Sequence, residues 1–268
     1  MISTGIDIGS TTTKVVILDG DAVRACLITA SGSLPGQAAK GLYAEALTRA
    51  GLSESDVQVV TATGYGRRLV DIGDIVITEI KSCAAGVMSL ESPCGAIRTI
   101  IDVGGQDTKV IALDDEGDIE DFSMNDKCAA GTGRFLEMLA QKLDVSYQDF
   151  VAAAIRSDTM LQMNATCAVF AESEVVGLLA RNVPKEDIAA AAHNAIASRI
   201  ASMVRRVGRR GAYCFVGGGA RNAALVRAVQ ESLNHSVFVP EQAQTVTALG
   251  AAISGRTRYE RAIPQNDQ

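Results

Sequence analysis

The amino-acid sequence predicts an α/β protein in which one structural unit occurs twice. An eight-residue pattern appears at Asp7–Lys14 and again at Asp102–Lys109, and the two copies align without a gap. Each copy lies between an Ile-rich stretch and an apolar run, which is the pattern of a strand, a polar turn and a second strand. Apolar residues at helical spacing follow each copy. Together these observations favour two sheets covered by helices.

Each copy predicts a three-stranded meander, because a second turn rich in Asp and Gly follows at Asp19–Gly20 and at Asp114–Gly117. Asp-x-Gly is also a common hairpin turn, but its recurrence between matching strands favours a functional repeat. Turn amides and hydroxyls can bind phosphate oxygens, and a carboxylate at a strand end can hold the water shell of Mg²⁺. The repeat therefore predicts two turns that bind the phosphates of a nucleotide.

The other elements are predicted from apolar periodicity. Helices are expected at 36–50, 79–90, 131–143, 147–155, 167–180, 185–207, 220–233 and 247–254, and further strands at 57–62 and 212–216. The Ser92–Gly95 turn places the domain boundary near Ala96, which gives an N-terminal lobe at 1–96 and a C-terminal lobe at 97–243. A helix at about 244–258 is expected to pack back on the first lobe, and the tail from Ile263 to be disordered.

Composition restricts the functional classes. The chain has 268 residues, enough for two lobes with buried cores. Its net charge is −6 and its Lys and Arg residues are dispersed, which argues against a nucleic-acid role. No stretch approaches about 18 uninterrupted apolar residues, which argues against a membrane role. The chain starts in a strand rather than a basic, apolar leader, so we expect a cytoplasmic protein.

A run of three glycines, Gly217–Gly219, follows a predicted buried strand and precedes a predicted helix. Three missing side chains let a flat or charged group approach the backbone closely. With two phosphate-binding turns already predicted, the adenosine part of ATP is the expected occupant. A flexible strand-to-helix turn is the alternative interpretation. Arg221 and Asn222, which follow, either contact the nucleotide or pack in the helix.

The six cysteines are expected to be thiols or metal ligands rather than disulfides, because the chain shows no leader. Cys128 and Cys167 each come at or just before the start of a predicted helix. A helix N-terminus carries about half a positive charge, which stabilises an anionic metal–thiolate centre. A [4Fe–4S] cluster takes about four thiolates, so two per chain suffice only in a two-fold homodimer. Buried structural cysteines are the alternative.

The order of these motifs resembles the superfamily that joins actin, sugar kinases and heat-shock ATPases. Asp7–Lys14 is similar to its first phosphate loop, Asp102–Lys109 to its second and Val216–Gly219 to its adenosine segment. The resemblance implies the two-lobed actin-like ATPase fold, with duplicated ribonuclease H-like domains that each hold a five-stranded sheet. It also implies that the protein binds ATP or ADP.

The segments around Cys128 and Cys167 separate this chain from the kinases, which share the phosphate loops. Ala62–Arg67, Asp102–Asp107, Asn125–Phe135 and Thr166–Glu174 are similar to the activator component of 2-hydroxyacyl-CoA dehydratases, whose related subunits serve benzoyl-CoA reductases. This resemblance implies a homodimer bridged by one [4Fe–4S] cluster and an ATP hydrolase coupled to electron transfer. The electron donor would be ferredoxin or flavodoxin, and the acceptor a 2-hydroxyacyl-CoA dehydratase or a related CoA-ester reductase.

The resemblance and the residue chemistry assign the site residues. Cys128 and Cys167 carry over as the cluster ligands. Asp7, Asp102 and Gln106 are expected to organise Mg²⁺ and the attacking water, since a neutral amide can orient a water without acting as a strong base. The phosphate ligands are expected to be Gly9, Ser10, Thr11, Thr12, Lys14, Gly104, Gly105 and Gln106. Adenosine is assigned to Gly217, Gly218, Gly219 and Asn222.

Other polar residues have open or structural interpretations. Glu172 and Glu174 suit the dipole of a helix N-terminus better than acid–base catalysis. Tyr65 and Arg67 either face a partner protein or form a plain surface turn. The remaining cysteines and both histidines are interpreted as packing or incidental residues: Cys26, Cys83, Cys94, Cys214, His193 and His235.

Two alternatives to an activator remain. A small-molecule kinase of the same superfamily would use a general-base Asp and transfer phosphate to an acceptor hydroxyl, but it leaves Cys128 and Cys167 without a role. A nucleotide-switched scaffold, with structural zinc or no metal, would hydrolyse ATP slowly and show no visible chromophore. Neither the acceptor enzyme nor its acyl-CoA substrate is identified by the sequence.

Overall fold

The computed structural model describes residues 1–126, 131–159, 161–163, 168–208 and 211–262. They form two compact units: unit 1 holds the described residues of Met1–Glu91 and Thr245–Gln268, and unit 2 those of Ser92–Gln244. Each unit contains one five-stranded sheet flanked by helices, which confirms the predicted α/β class. Among the described residues, no helix is long and apolar enough to cross a membrane. The predicted disordered tail from Ile263 lies outside the described residues.

The described strands and α-helices follow one another along the chain. In order they are β1 (Ile2–Ile8), β2 (Thr12–Asp19), β3 (Ala22–Ala30), α1 (Pro35–Ala50), β4 (Val59–Thr63), β5 (Ile75–Val76), α2 (Glu79–Met88), β6 (Ile97–Val103), β7 (Thr108–Leu113), β8 (Ile119–Asn125), α3 (Gly133–Lys142), α4 (Tyr147–Arg156), α5 (Ala168–Ala180), α6 (Lys185–Val207), β9 (Ala212–Val216), α7 (Ala223–Leu233), β10 (Val237–Phe238) and α8 (Val246–Ala262).

The two sheets share one topology. Their strand orders are β3-β2-β1-β4-β5 and β8-β7-β6-β9-β10. In each sheet three strands form an antiparallel meander, and two more strands pair in parallel beside the first strand of that meander. Both predicted meanders are confirmed. The shared topology brings the end of β1 next to the end of β4, and the end of β6 next to the end of β9.

Alternating side chains along the central strands cover both faces of the unit 1 sheet. Ile6 and Ile17 belong to a core that includes α1, whereas Val16 and Leu18 pack against Ala248 of α8. Burial of each such side chain contributes about 1.5–3 kcal/mol. Unit 2 has a larger core formed by its sheet and helices α3–α7. In each unit a buried core therefore supports the strands from which the turns extend.

Two predicted helix boundaries are wrong. The predicted helix 247–254 is too short, because α8 runs to Ala262 along β1 and β4, with Gly255 packed on the side chain of Thr61. The predicted helix 220–233 begins too early, because residues 218–221 form a short 3₁₀ turn and Asn222 caps α7. Contacts with the sheet accompany the longer α8, whereas the cap of Asn222 on Leu225 N–H sets the start of α7.

Candidate functional site

The first phosphate turn connects β1 to β2 and begins at Asp7. Asp7 and Lys14 are cross-strand partners, and Lys14 Nζ lies 2.9 Å from Asp7 Oδ2. Both side chains are largely buried, so water screens this ion pair weakly. The predicted phosphate ligands lie together in the partly exposed turn between them: Gly9, Ser10, Thr11 and Thr12. The structure thus brings all the predicted residues of the first turn to one strand end.

Ser31, which the sequence did not single out, braces this turn. Its Oγ donates to Gly9 O over 2.7 Å, and its N–H donates to Thr11 O over 2.9 Å. Thr13 Oγ1 lies 3.0 Å from Ser31 Oγ, and because that oxygen already donates to Gly9, Thr13 is the donor in this pair. Ser31 follows β3, 22 residues after Gly9. No local pattern reveals such a contact.

The second phosphate turn connects β6 to β7 and begins at Asp102. Lys109 Nζ lies 2.9 Å from Asp107 Oδ2 and 3.7 Å from Asp102 Oδ2, and Lys109 is only 2% exposed. A buried ammonium needs such carboxylate partners. Gly104 N–H donates to Asp107 O over 2.9 Å and closes the turn. Gln106 is exposed at its tip.

Lys109 was not among the predicted ligands, although a signal for it existed. It holds the same place in its copy of the repeat as Lys14, and it pairs across the strands with Asp102 as Lys14 does with Asp7. The duplicated pattern therefore extends from the carboxylate to the lysine. We add Lys109 to the candidate site on this basis.

A glycine turn closes on each strand-end carboxylate. Gly64 follows β4 beside Asp7, and Gly217 follows β9 beside Asp102. Both glycines have positive φ angles, 88° and 84°, and a Cβ on either would overlap Oδ1 of the neighbouring Asp. Only glycine satisfies both requirements. The turn after β4 is therefore the unit 1 counterpart of the glycine segment after β9, an equivalence that sequence reasoning missed.

The polar residues with open interpretations have distinct environments. Arg67 Nη1 donates to Gly64 O over 2.9 Å and so braces the glycine turn, while Tyr65 is 78% exposed. Glu172 forms an exposed ion pair of 2.9 Å with Lys142 of α3, a kind of contact that contributes about 0–1 kcal/mol. Arg67 thus supports the glycine turn of unit 1, whereas Glu172 takes part in a surface ion pair.

Asn222 joins the glycine segment to α7. Its Oδ1 accepts from Leu225 N–H over 3.0 Å, and its Nδ2 donates to Tyr147 Oη over 2.9 Å and to His193 Nε2 over 3.0 Å. The residue is 2% exposed. This use of both ends of the amide favours packing over direct nucleotide contact. Asn222 then acts by holding the glycine segment in place.

The buried imidazole of His193 supports that amide in one tautomer. His193 Nδ1 lies 2.7 Å from Ala189 O. A carbonyl oxygen only accepts, so we assign the ring hydrogen to Nδ1 and leave Nε2 to accept from Asn222. Burial lowers the pKa of His193 to about 4, so the ring is neutral near pH 7. The network is therefore fully hydrogen-bonded without any charge.

The two cysteines predicted to bind the cluster, Cys128 and Cys167, lie outside the described residues. The remaining four have mixed environments: Cys83 and Cys214 are buried, and Cys26 and Cys94 are exposed. Burial raises the pKa of the Cys214 thiol to about 12, which keeps it protonated and unreactive. Within the described part of the chain, no group of three or more His, Cys, Asp or Glu side chains is arranged to hold a metal ion.

Known proteins are similar to this chain over almost its entire length. The model of the BadF/BadG/BcrA/BcrD ATPase family matches residues 4–255. A 2-hydroxyisocaproyl-CoA dehydratase activator from Clostridioides difficile is 40% identical over 257 residues, which is 94% of each chain.

Solved structures agree with this match. The activator of the 2-hydroxyisocaproyl-CoA dehydratase from Clostridium difficile with bound ADPNP has a TM-score of 0.91, is 38% identical, and is matched over 100% of this chain and 99% of its own. The (R)-2-hydroxyglutaryl-CoA dehydratase component A of Acidaminococcus fermentans has a TM-score of 0.89 at 35% identity, with 97% and 99% covered. A ROK hexokinase from Thermus thermophilus, at 15% identity and a TM-score of 0.52 with 98% and 100% covered, shares the fold alone.

Proposed function

Because the chain belongs to the BadF/BadG/BcrA/BcrD ATPase family, we propose that it is an ATP-hydrolysing activator that delivers a low-potential electron to a partner enzyme. The partner would be a 2-hydroxyacyl-CoA dehydratase or a related CoA-ester reductase. The observation that carries the proposal is the likeness to dehydratase activators over nearly the full chain, one of them with bound ADPNP. Two turns that each begin at a buried, lysine-paired carboxylate support it.

In this proposal the phosphates bind at the two turns. Lys14 and Lys109 would meet phosphate oxygens, and Asp7 and Asp102 would hold Mg²⁺ through its water shell, since carboxylate oxygens suit this hard cation. The N–H groups of Gly105 and Gln106 would bind phosphate oxygens as well. The carbonyls of Gly104 and Gly105 accept from α3, so the N–H on the opposite side of each trans peptide points away from that helix.

The proposal also assigns the attacking water and the adenosine to residues of these turns. The exposed amide of Gln106 would orient the attacking water. Gly217–Gly219 would accept the adenosine at Gly218, where the nearest atom to a Cβ would be Gln244 Nε2 at 3.9 Å, so the backbone leaves room for a flat group. Asn222 and His193 would hold that segment from behind through the hydrogen bonds described above. Hydrolysis then changes which state of the protein the bound nucleotide favours.

The electron carrier would be a [4Fe–4S] cluster, which supplies one-electron chemistry at a potential set by its surroundings. Its thiolate ligands would be Cys128 and Cys167 of each protomer in a cytoplasmic homodimer, which together provide four. Two cysteines in segments similar to those of the activators fit this ligand set. Ferredoxin or flavodoxin would serve as the electron donor.

Activation of a dehydratase tests the proposal. The protein, purified without oxygen, is mixed with a reductant, MgATP and the 2-hydroxyisocaproyl-CoA dehydratase whose activator it resembles. We expect dehydration that requires ATP hydrolysis and is absent in Cys128→Ser, whereas Cys94→Ser, a change at an exposed cysteine, retains it. Dehydration without ATP, or equal activity of Cys128→Ser, would contradict the proposal. Phosphate transfer to an acceptor hydroxyl would instead identify a kinase.

A further inference from the structure

We propose that Thr108 and the start of α3 couple the nucleotide state of the second phosphate turn to the segment that carries Cys128. This inference rests on the proposed function, because it requires a nucleotide at that turn and iron at that cysteine. It names the residues through which the nucleotide at the second turn would influence the iron at Cys128. All the contacts that carry it lie within unit 2 and among described residues.

Three hydrogen bonds join the second phosphate turn to residues 131–134. Thr108 Oγ1 donates to Gly131 O over 2.6 Å. Gly133 N–H donates to Gly104 O over 3.0 Å, and Arg134 N–H donates to Gly105 O over 3.1 Å. Thr108 is 1% exposed, so water does not compete for its bond. Gly131 follows Cys128 by three positions in the sequence.

Two of these bonds use N–H groups of the first turn of α3, which have no hydrogen-bond partner within the helix. The first amides of an α-helix lack partners within the helix, and α3 satisfies two of its own with carbonyls of the turn. The N–H groups on the other side of the same peptides point away from α3. A phosphate that binds those N–H groups therefore acts on peptides whose carbonyls hold the start of α3. The turn cannot rearrange around a different nucleotide without straining or breaking these bonds.

Gly131 is closely packed on the side where a Cβ would stand. A Cβ on Gly131 would lie 2.7 Å from Asn125 Nδ2 and 2.9 Å from Arg199 Cδ, and both distances are below ordinary van der Waals contact. A shift of Gly131 toward either atom would therefore have to move that side chain as well.

The duplicated turn in unit 1 shows which part of this arrangement is specific. Thr13 holds the place of Thr108 in the repeat, and its hydroxyl bonds to Ser31 Oγ over 3.0 Å. Ser31 follows β3 as Gly131 follows β8. Both units therefore brace the phosphate turn from the segment after the third meander strand. Only in unit 2 does that segment carry a predicted cluster cysteine, which makes Thr13 a matched control for Thr108.

The test uses the dimer purified without oxygen, as wild type, Thr108→Val and Thr13→Val. Iron content, the Kd for MgATP, and the rate of iron loss to a chelator with and without MgATP are measured. We expect the two rates to differ by about fivefold or more in wild type and in Thr13→Val. In Thr108→Val we expect unchanged iron content, a Kd within about threefold of wild type and a rate ratio close to one.

Hydrogen exchange on wild type gives a second readout that needs no variant. Binding of MgATP should change the protection of the peptide at 131–136 together with that at 104–109. A full rate ratio in Thr108→Val would overturn the coupling, as would unchanged exchange at 131–136 in protein that binds MgATP. Iron-free wild-type protein, or protein that does not bind MgATP, would overturn the proposed function itself.

Discussion

His193 should make the stability of unit 2 depend on pH. Burial lowers the pKa of His193 from 6.5 to about 4. Protonation would also set an Nε2 hydrogen against the Nδ2 hydrogens of Asn222, which already point at that nitrogen. As the pH falls, His193 of the unfolded chain therefore becomes protonated near pH 6.5, whereas His193 of the folded chain becomes protonated only near pH 4. Stability present above pH 6.5 is lost as the pH falls through this window.

The size of the loss follows from the two pKa values. Between pH 7 and pH 5 this pKa shift lowers the free energy of unfolding by about 2 kcal/mol. Below pH 4 the loss reaches a limit of about 3 kcal/mol. A domain has only about 5–15 kcal/mol in total. A single buried imidazole thus accounts for a measurable share of the acid sensitivity of unit 2.

The assay compares wild type with His193→Gln, which cannot titrate in this range. Guanidinium unfolding is followed at pH 7, 6 and 5 by tyrosine fluorescence, since the chain has five Tyr and no Trp. Wild type should lose about 2 kcal/mol more than the variant between pH 7 and pH 5. Equal losses in both proteins would refute the reasoning. So would an NMR titration in which the His193 ring protonates near pH 6.5.

Four other substitutions probe the site and the fold, and the last of them is a control. Asp102→Ala should abolish ATP hydrolysis and leave the iron content unchanged, as phosphate release and iron analysis will show; loss of iron as well would contradict this division of roles. Gly64→Ala should lower the rate of ATP hydrolysis at least tenfold without loss of fold, because its Cβ displaces Asp7; an unchanged rate would contradict the role of Asp7. Gly250→Ala should lower the thermal midpoint by several degrees, because its Cβ overlaps the backbone of α2. The control Gly41→Ala, on the open surface of α1, should raise the free energy of unfolding by up to about 1 kcal/mol. An equal fall of the thermal midpoint in Gly250→Ala and Gly41→Ala would contradict the packing argument.

The meanders were predictable because their signals are local. An apolar stretch, a turn with Asp and Gly, and a second apolar stretch encode strand, turn and strand within about twenty residues. Long amphipathic segments were equally readable, and the predicted helix 185–207 matches α6 at both ends. The two-residue strands β5 and β10 were missed, since two residues show no periodicity. The end of α8 was misjudged because the sheet beneath it, rather than its own sequence, decides its length.

The site was predictable only in part, for the same reason. Each of the two phosphate turns is contiguous in sequence and was predicted from the repeat, and the glycine segment was predicted from its run of three glycines. Their supports come from elsewhere in the chain: Asn222 meets His193 across 29 residues and Tyr147 across 75. Ser31 likewise reaches Gly9 across 22 residues. Such contacts depend on how sheets and helices pack, and a single sequence holds no periodic trace of them.

Iron and acid-labile sulfide, measured on protein purified without oxygen, test the central claim most directly. An ATP-dependent electron-transfer activator predicts about four of each per dimer. It predicts their joint loss in Cys128→Ser and in Cys167→Ser, and their retention in Cys26→Ser, which changes an exposed cysteine. A colourless, iron-free dimer that still hydrolyses ATP would contradict the claim.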